Sequence, residues 1–222
     1  MAIQTRWLAL VASAVLLAGV ARSEDKPAVP AEFAFTAAKA RKTATVDGVV
    51  PTRTLTLQQT PERAKIAGKA ATARVFHDGT TLFVAVTVPL EKAADVSKGE
   101  SWGSNDGAEV CVRDASCAQP GPTFIVHGFA SGKHECTGDG GAPSEAVTKL
   151  EKAVKFAAKV DKQSWTGEWA IPFEALGIRY KPGTALGFNL GGWRAENAEW
   201  FVWRGALGAT YDLDNGGKLT LE

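Results

Sequence analysis

Ala71-Thr72-Ala73-Arg74-Val75-Phe76-His77-Asp78-Gly79-Thr80-Thr81-Leu82-Phe83-Val84-Ala85-Val86-Thr87-Val88 is the stretch from which the fold can be read. Ala71, Ala73 and Val75 alternate with Thr72, Arg74 and Phe76, a period of two that puts one set on each face of an extended chain. Asp78-Gly79 then supplies a turn, because glycine enters positive φ without steric cost. Beyond it Leu82, Val84, Val86 and Val88 alternate with Phe83, Ala85 and Thr87. The pattern predicts a β-hairpin with one buried face.

The same signal recurs outward from this hairpin. Val110 and Val112, Phe124 to Ala130, Val154 to Val160, Trp165 to Ile171, Leu186 to Leu190, Trp200 to Trp203 and Lys218 to Leu221 all read as short strands. Pro172 ends one of them, and Phe173 to Leu176 has room for a single helical turn. Roughly ten strands with little helix between them lack the βαβ spacing of a parallel sheet and predict an all-β fold. Two packed antiparallel sheets, a β-sandwich of jelly-roll or immunoglobulin-like kind, accommodate them; a closed barrel is the alternative.

The N-terminus has a different character. Arg6 precedes an uncharged apolar run from Trp7 to Val20, and Ala21-Arg22-Ser23 then offers small residues at the positions a signal peptidase reads. Residues 1–23 are expected to be a secretory signal, since the run falls short of the ~20 apolar residues that span a bilayer. Residues 24–42, with Pro27, Pro30 and many alanines, read as a linker or N-terminal arm, and 43–222 as the sandwich. The expected product is secreted or periplasmic, with no membrane attachment after signal cleavage. A formal net charge of +1 lacks the basic footprint of a nucleic-acid binder. Export leads to the expectation of one disulfide among Cys111, Cys117 and Cys136, with all three pairings open.

Several segments together resemble the family 9 carbohydrate-binding modules and their wider DOMON-like relatives. They are Thr45-Val46-Asp47-Gly48, the hairpin just quoted, Trp102 through Asp106 to Glu109-Val110, Trp165 to Phe173 with its Glu168-Trp169-Ala170-Ile171-Pro172, Leu186-Gly187-Phe188-Asn189, and Gly217 to Leu221. In order they run from Thr43 to Glu222. The resemblance implies a two-sheet sandwich that holds a mono- or oligosaccharide without catalysis, gripping a terminal sugar between two tryptophans, and a link to carbohydrate catabolism. Trp102 matches the first of the pair, in a loop one residue longer. Tyr211 is the only aromatic near the place of the second. Val49 to Leu57 lacks the tryptophan usual there, and Ile125 stands where the family has a sugar-binding arginine.

The residue chemistry is compatible with that reading. Trp102 lies in a polar loop, where a flat indole suits the C–H face of a pyranose. Asp106 and Glu109 can accept hydrogen bonds from hydroxyls, but in an extended segment they point to opposite faces, unlike a glycosidase acid/base pair. Trp193, Arg194, Asn197 and Trp200 lie on a late hairpin, where arginine can stack and donate. Trp193, Arg194 and Asn197, with Tyr211, complete the candidate sugar site. Asp212, Asp214 and Asn215 crowd oxygen ligands of the kind a structural calcium takes, without the EF-hand spacing; no other cofactor is expected. His127, His134 and Cys136 can meet across a hairpin at Gly132, a constellation that zinc or copper would suit. No G-x-S-x-G or H-E-x-x-H motif is present. Other functions open to such a sandwich are a structural or protein-binding role, a haem module and an accessory to a glycoside hydrolase. The only methionine, Met1, leaves with the signal, so a haem would need histidine ligands.

Overall fold

The computed structural model describes residues 33–39 and 54–222. The signal, most of the linker and the Thr45–Gly48 turn lie outside the described residues. The quoted hairpin is present: β3 (Ala71–His77) pairs antiparallel with β4 (Thr81–Pro89), with His77 opposite Leu82. Asp78 organises its turn, its carboxylate accepting the Thr80 and Thr81 amides at 2.8 Å each and the Thr80 hydroxyl at 2.7 Å. Gly79 takes a φ of 97° there. Ala73, Val75, Val84 and Val86 are buried, as the alternation requires.

Two sheets form the sandwich. The smaller has the order β2 (Thr54–Leu57), β3, β4, β9 (Ser164–Pro172), β8 (Lys155–Val160). The larger runs β1 (Ala34–Ala37), β12 (Gly217–Leu221), β10 (Ala185–Arg194), β5 (Gly107–Asp114), β6 (Phe124–Phe129), β7 (His134–Thr137). The ten-residue β10 is long enough to serve two partners on one side: its first half pairs with β12 and its second half with β11 (Glu199–Val202).

Three features differ from the expectation. Ala34–Ala37 is not a free arm but an edge strand, with Phe35 and Ala37 buried. Its pairing with β12 is parallel, so the larger sheet is mixed. A ten-residue helix, α1 (Ser144–Ala153), packs beside β7. Leu150 is its one fully buried residue, and Ala146, Val147 and Ala153 pack partly buried on the same side at i, i+1, i+4, i+7 spacing, while Glu145 and Lys152 suit the two ends of the helix dipole.

The core between the sheets is rich in aromatics: Trp165, Trp169, Phe188 and Phe201 are at most 1% exposed. Gly128 on β6 sets the sheet-to-sheet fit. A Cβ added there would come within 2.4 Å of Phe156 and 2.5 Å of Trp169, so the bare backbone is what lets these rings reach the larger sheet. Among the described residues no helix is long and apolar enough to cross a membrane.

The expected disulfide is absent. Cys111 pairs across β5–β6 with Ile125, and Cys136 pairs across β6–β7 with Val126, one residue out of step. Alternation therefore sends the two thiols to opposite faces of the sheet. Cys117 lies exposed in the loop beyond, and all three cysteines are free. The same parity separates the His127, His134, Cys136 constellation: His127 is opposite Glu135, not His134, and so occupies the outer face. Among the described residues no group of three or more His, Cys, Asp or Glu is placed to hold a metal ion.

Candidate functional site

The outer face of the larger sheet, away from the core, carries three rows of side chains fixed by strand register. The first is aromatic: Phe129 opposite Gly107, Gly107 opposite Trp193, Trp193 opposite Trp200. The second is charged: Glu135 opposite His127, His127 opposite Glu109, Glu109 opposite Gly191. The third contains Thr137, Ile125, Cys111 and Asn189. Rows two residues apart along a strand are separated by about 7 Å.

Trp102 reaches this face from the loop ahead of β5. Gly107 makes room for it, since a Cβ there would sit 3.2 Å from the indole. The partly buried indole lies flat on the His127 imidazole, with ring centroids 3.9 Å apart and planes 10° apart. Trp200 leans on it at 5.4 Å, and Trp193 leans on Trp200 at 4.9 Å. A planar indole that is backed by another ring and only partly buried can serve as a stacking surface.

His127 is held from both sides. Its Nδ1 is 2.9 Å from Glu135 Oε1 on β7 and its Nε2 is 3.4 Å from Glu109 Oε2 on β5. Burial alone would lower its pKa, but the carboxylates of Glu109 and then Glu135 outweigh it and hold the imidazole above its ordinary value. When protonated, the ring donates to Glu135, faces the Glu109 carboxylate as an ion pair and presents a cation to the Trp102 face. Beside Glu109 the Cys111 thiol is fully buried, and burial together with that carboxylate pushes it well up, so it stays neutral.

The other sequence-predicted residues divide between this face and elsewhere. Trp193 and Glu109 are on it. Tyr211 flanks it, packed with Leu213 against Cys111 and Ile125 beneath the charged row. Asp106 is fully buried and holds the Trp102 loop in place: one oxygen accepts the Ser97 amide at 2.8 Å and the other the Ala195 amide at 3.1 Å. Burial raises its pKa despite those bonds. Arg194, next to Trp193, points the opposite way. It is 1% exposed, bonded to the Lys69 carbonyl and to Glu199, and with Asn197 lines a separate cleft of about 480 Å³. In the Asp212–Asn215 turn, Asp212 accepts the Asp214 amide at 3.1 Å and the Asn215 side-chain amide at 2.8 Å, while Asp214 pairs with Arg113 of β5.

His127 and Glu135 were missing from the sequence-level site. Alternation of Ile125, His127 and Phe129 along β6 places His127 on a single face, but its partners follow only from the pairing of β5, β6 and β7.

Neither a family model nor a curated protein sequence matches the chain. Solved structures do. A family 9 carbohydrate-binding module from Caldicellulosiruptor kristjanssonii in complex with glucose is similar with a TM-score of 0.63 at 14% identity, covering 85% of this chain and 95% of that one. A structure of such a module from the same organism with cellotriose gives 0.62 at 14% identity, covering 85% and 93%. The fold is thus that of the family 9 carbohydrate-binding modules, in agreement with the motifs that suggested it from sequence.

Proposed function

We propose that this chain is an exported, non-catalytic carbohydrate-binding module that serves the breakdown of carbohydrate, with its sugar site on the outer face of the larger sheet. The observation that carries this reading is the Trp102 indole, partly buried and lying flat on His127 in the Glu109–His127–Glu135 row. A pyranose has an apolar C–H face and a rim of hydroxyls. The indole suits the first, and the carboxylate of Glu135, 46% exposed beside it, suits the second, while buried Glu109 serves to hold His127. Tyr211 bounds the opposite side of the charged row, where a second aromatic can close on the ring. The fold similarity to modules bound to glucose and cellotriose supports the same assignment.

The same row supports a reading of binding without hydrolysis. A glycosidase needs two carboxyls facing across the scissile bond with the substrate between them. Here His127 occupies the position between Glu109 and Glu135 and engages both. Isothermal titration of the mature protein with glucose, cellotriose and a panel of other sugars tests the proposal. Trp102→Ala is expected to weaken binding by at least about tenfold, the loss of one stacked, desolvated aromatic. Sugar binding unaffected by this substitution would place the site elsewhere. No binding of any sugar by the folded protein would refute the function and favour a structural or protein-binding sandwich.

A further inference from the structure

We infer that His127 is a positioning residue for the sugar platform and that its charge makes sugar binding weaken as pH rises. The inference rests on the proposed site. Trp102 sits at the end of a loop with its plane set by what lies beneath it, and what lies beneath is the His127 ring, parallel to within 10° at 3.9 Å. His127 is itself fixed from the two neighbouring strands, by Glu109 on β5 and Glu135 on β7. Phe129, its neighbour on the same face of β6, meets it edge-on and carries no charge. Lys133, in the turn that follows, makes no ion pair among the described residues, and Cys111 is neutral beside Glu109.

The arrangement needs the doubly protonated ring. An imidazolium has two N–H groups and satisfies both carboxylates; a neutral imidazole has one, and its other nitrogen meets a carboxylate as lone pair against lone pair. Deprotonation therefore releases one of the two carboxylates, loosens the ring and removes the cation–π component of the Trp102 stack. The indole then has more orientations to lose when a sugar arrives, and affinity falls through lost preorganisation. The groups holding the proton are acidic on both sides, which keeps the charged form to a higher pH than a free histidine.

Three proteins distinguish this from a merely structural histidine. Cellotriose affinity is measured by titration calorimetry from pH 5.5 to 9 for the natural protein, His127→Gln and His127→Arg, with folding checked by circular dichroism at each pH. The natural protein is expected to lose about fivefold in affinity across the range, the scale of one partly desolvated cation–π contact. His127→Gln is expected to bind at the weak level throughout. His127→Arg, planar, permanently charged and able to donate to both carboxylates, is expected to bind at the strong level throughout. A flat profile in the natural protein, or the same slope in His127→Gln, would overturn the inference while leaving the Trp102 site standing. Absence of cellotriose and other sugar binding at every pH would overturn the site reading as well.

Discussion

His127→Leu removes the donor from a buried carboxylate, and the consequence for stability can be worked from the geometry. The side chains of Glu109 and His127 are both 5% exposed, and their nitrogen and oxygen are 3.4 Å apart. At an effective dielectric near 20, unit charges at that distance attract by about 5 kcal/mol, most of which offsets desolvation in the intact pair. Removing one partner leaves the desolvation of Glu109 uncompensated, for which about 3–5 kcal/mol is typical. The lower end, about 3 kcal/mol, is expected here, because the Cys111 thiol still donates to Glu109. Glu109→Gln combined with His127→Leu removes the stranded charge, so the double variant is expected to recover at least about 1.5 kcal/mol relative to the sum of the singles. The pair also has a pH signature. The folded pKa of His127 is raised, so its stabilisation is complete below the unfolded value of 6.5 and is lost as pH rises through the higher folded value. Urea unfolding followed by tryptophan fluorescence at pH 6 and pH 9 reads both effects. Additive single substitutions, or a loss in His127→Leu that grows rather than shrinks toward pH 9, would refute the reasoning.

Other expectations test the fold. Gly128→Ala drives a methyl into Phe156 and Trp169 at 2.4 and 2.5 Å, and overpacking of this kind should cost about 1–3 kcal/mol in chemical denaturation. An effect below about 0.5 kcal/mol would mean that the sheets are packed less closely there. Thiol titration should find three reactive cysteines in the unfolded protein, and in the native protein rapid reaction only at exposed Cys117, since burial keeps Cys111 and Cys136 protonated. Fewer than three free thiols after denaturation without reductant would show a disulfide, and one mapped to Cys111 and Cys136 would contradict their opposite-face placement.

The strands that alternate strongly were legible from sequence, because a period of two records which face meets the core whatever the partner strand is. The β3–β4 hairpin, β5, β6, β8, β9 and β10 all follow from that period, and Asp78-Gly79 marks its own turn through local hydrogen bonds. The edge strand β1 and helix α1 were not legible. Ala34–Ala37 has only four residues and owes its place to β12, far along the chain, and α1 spans only ten residues, with an apolar side of Ala146, Val147, Leu150 and Ala153 that is short and half alanine. In the site, Trp102 could be singled out by its polar surroundings alone. Its backing could not: His127, Glu109 and Glu135 lie on three strands, and a shift of one residue in either pairing would send one of them to the opposite face. Parity likewise decided against a Cys111–Cys136 disulfide, and it turned Arg194 away from Trp193 on the same strand. Local periodicity along the chain thus determined the fold class, and local composition picked out Trp102. Cross-strand register, which depends on contacts between distant segments, decided which charges stand behind the platform.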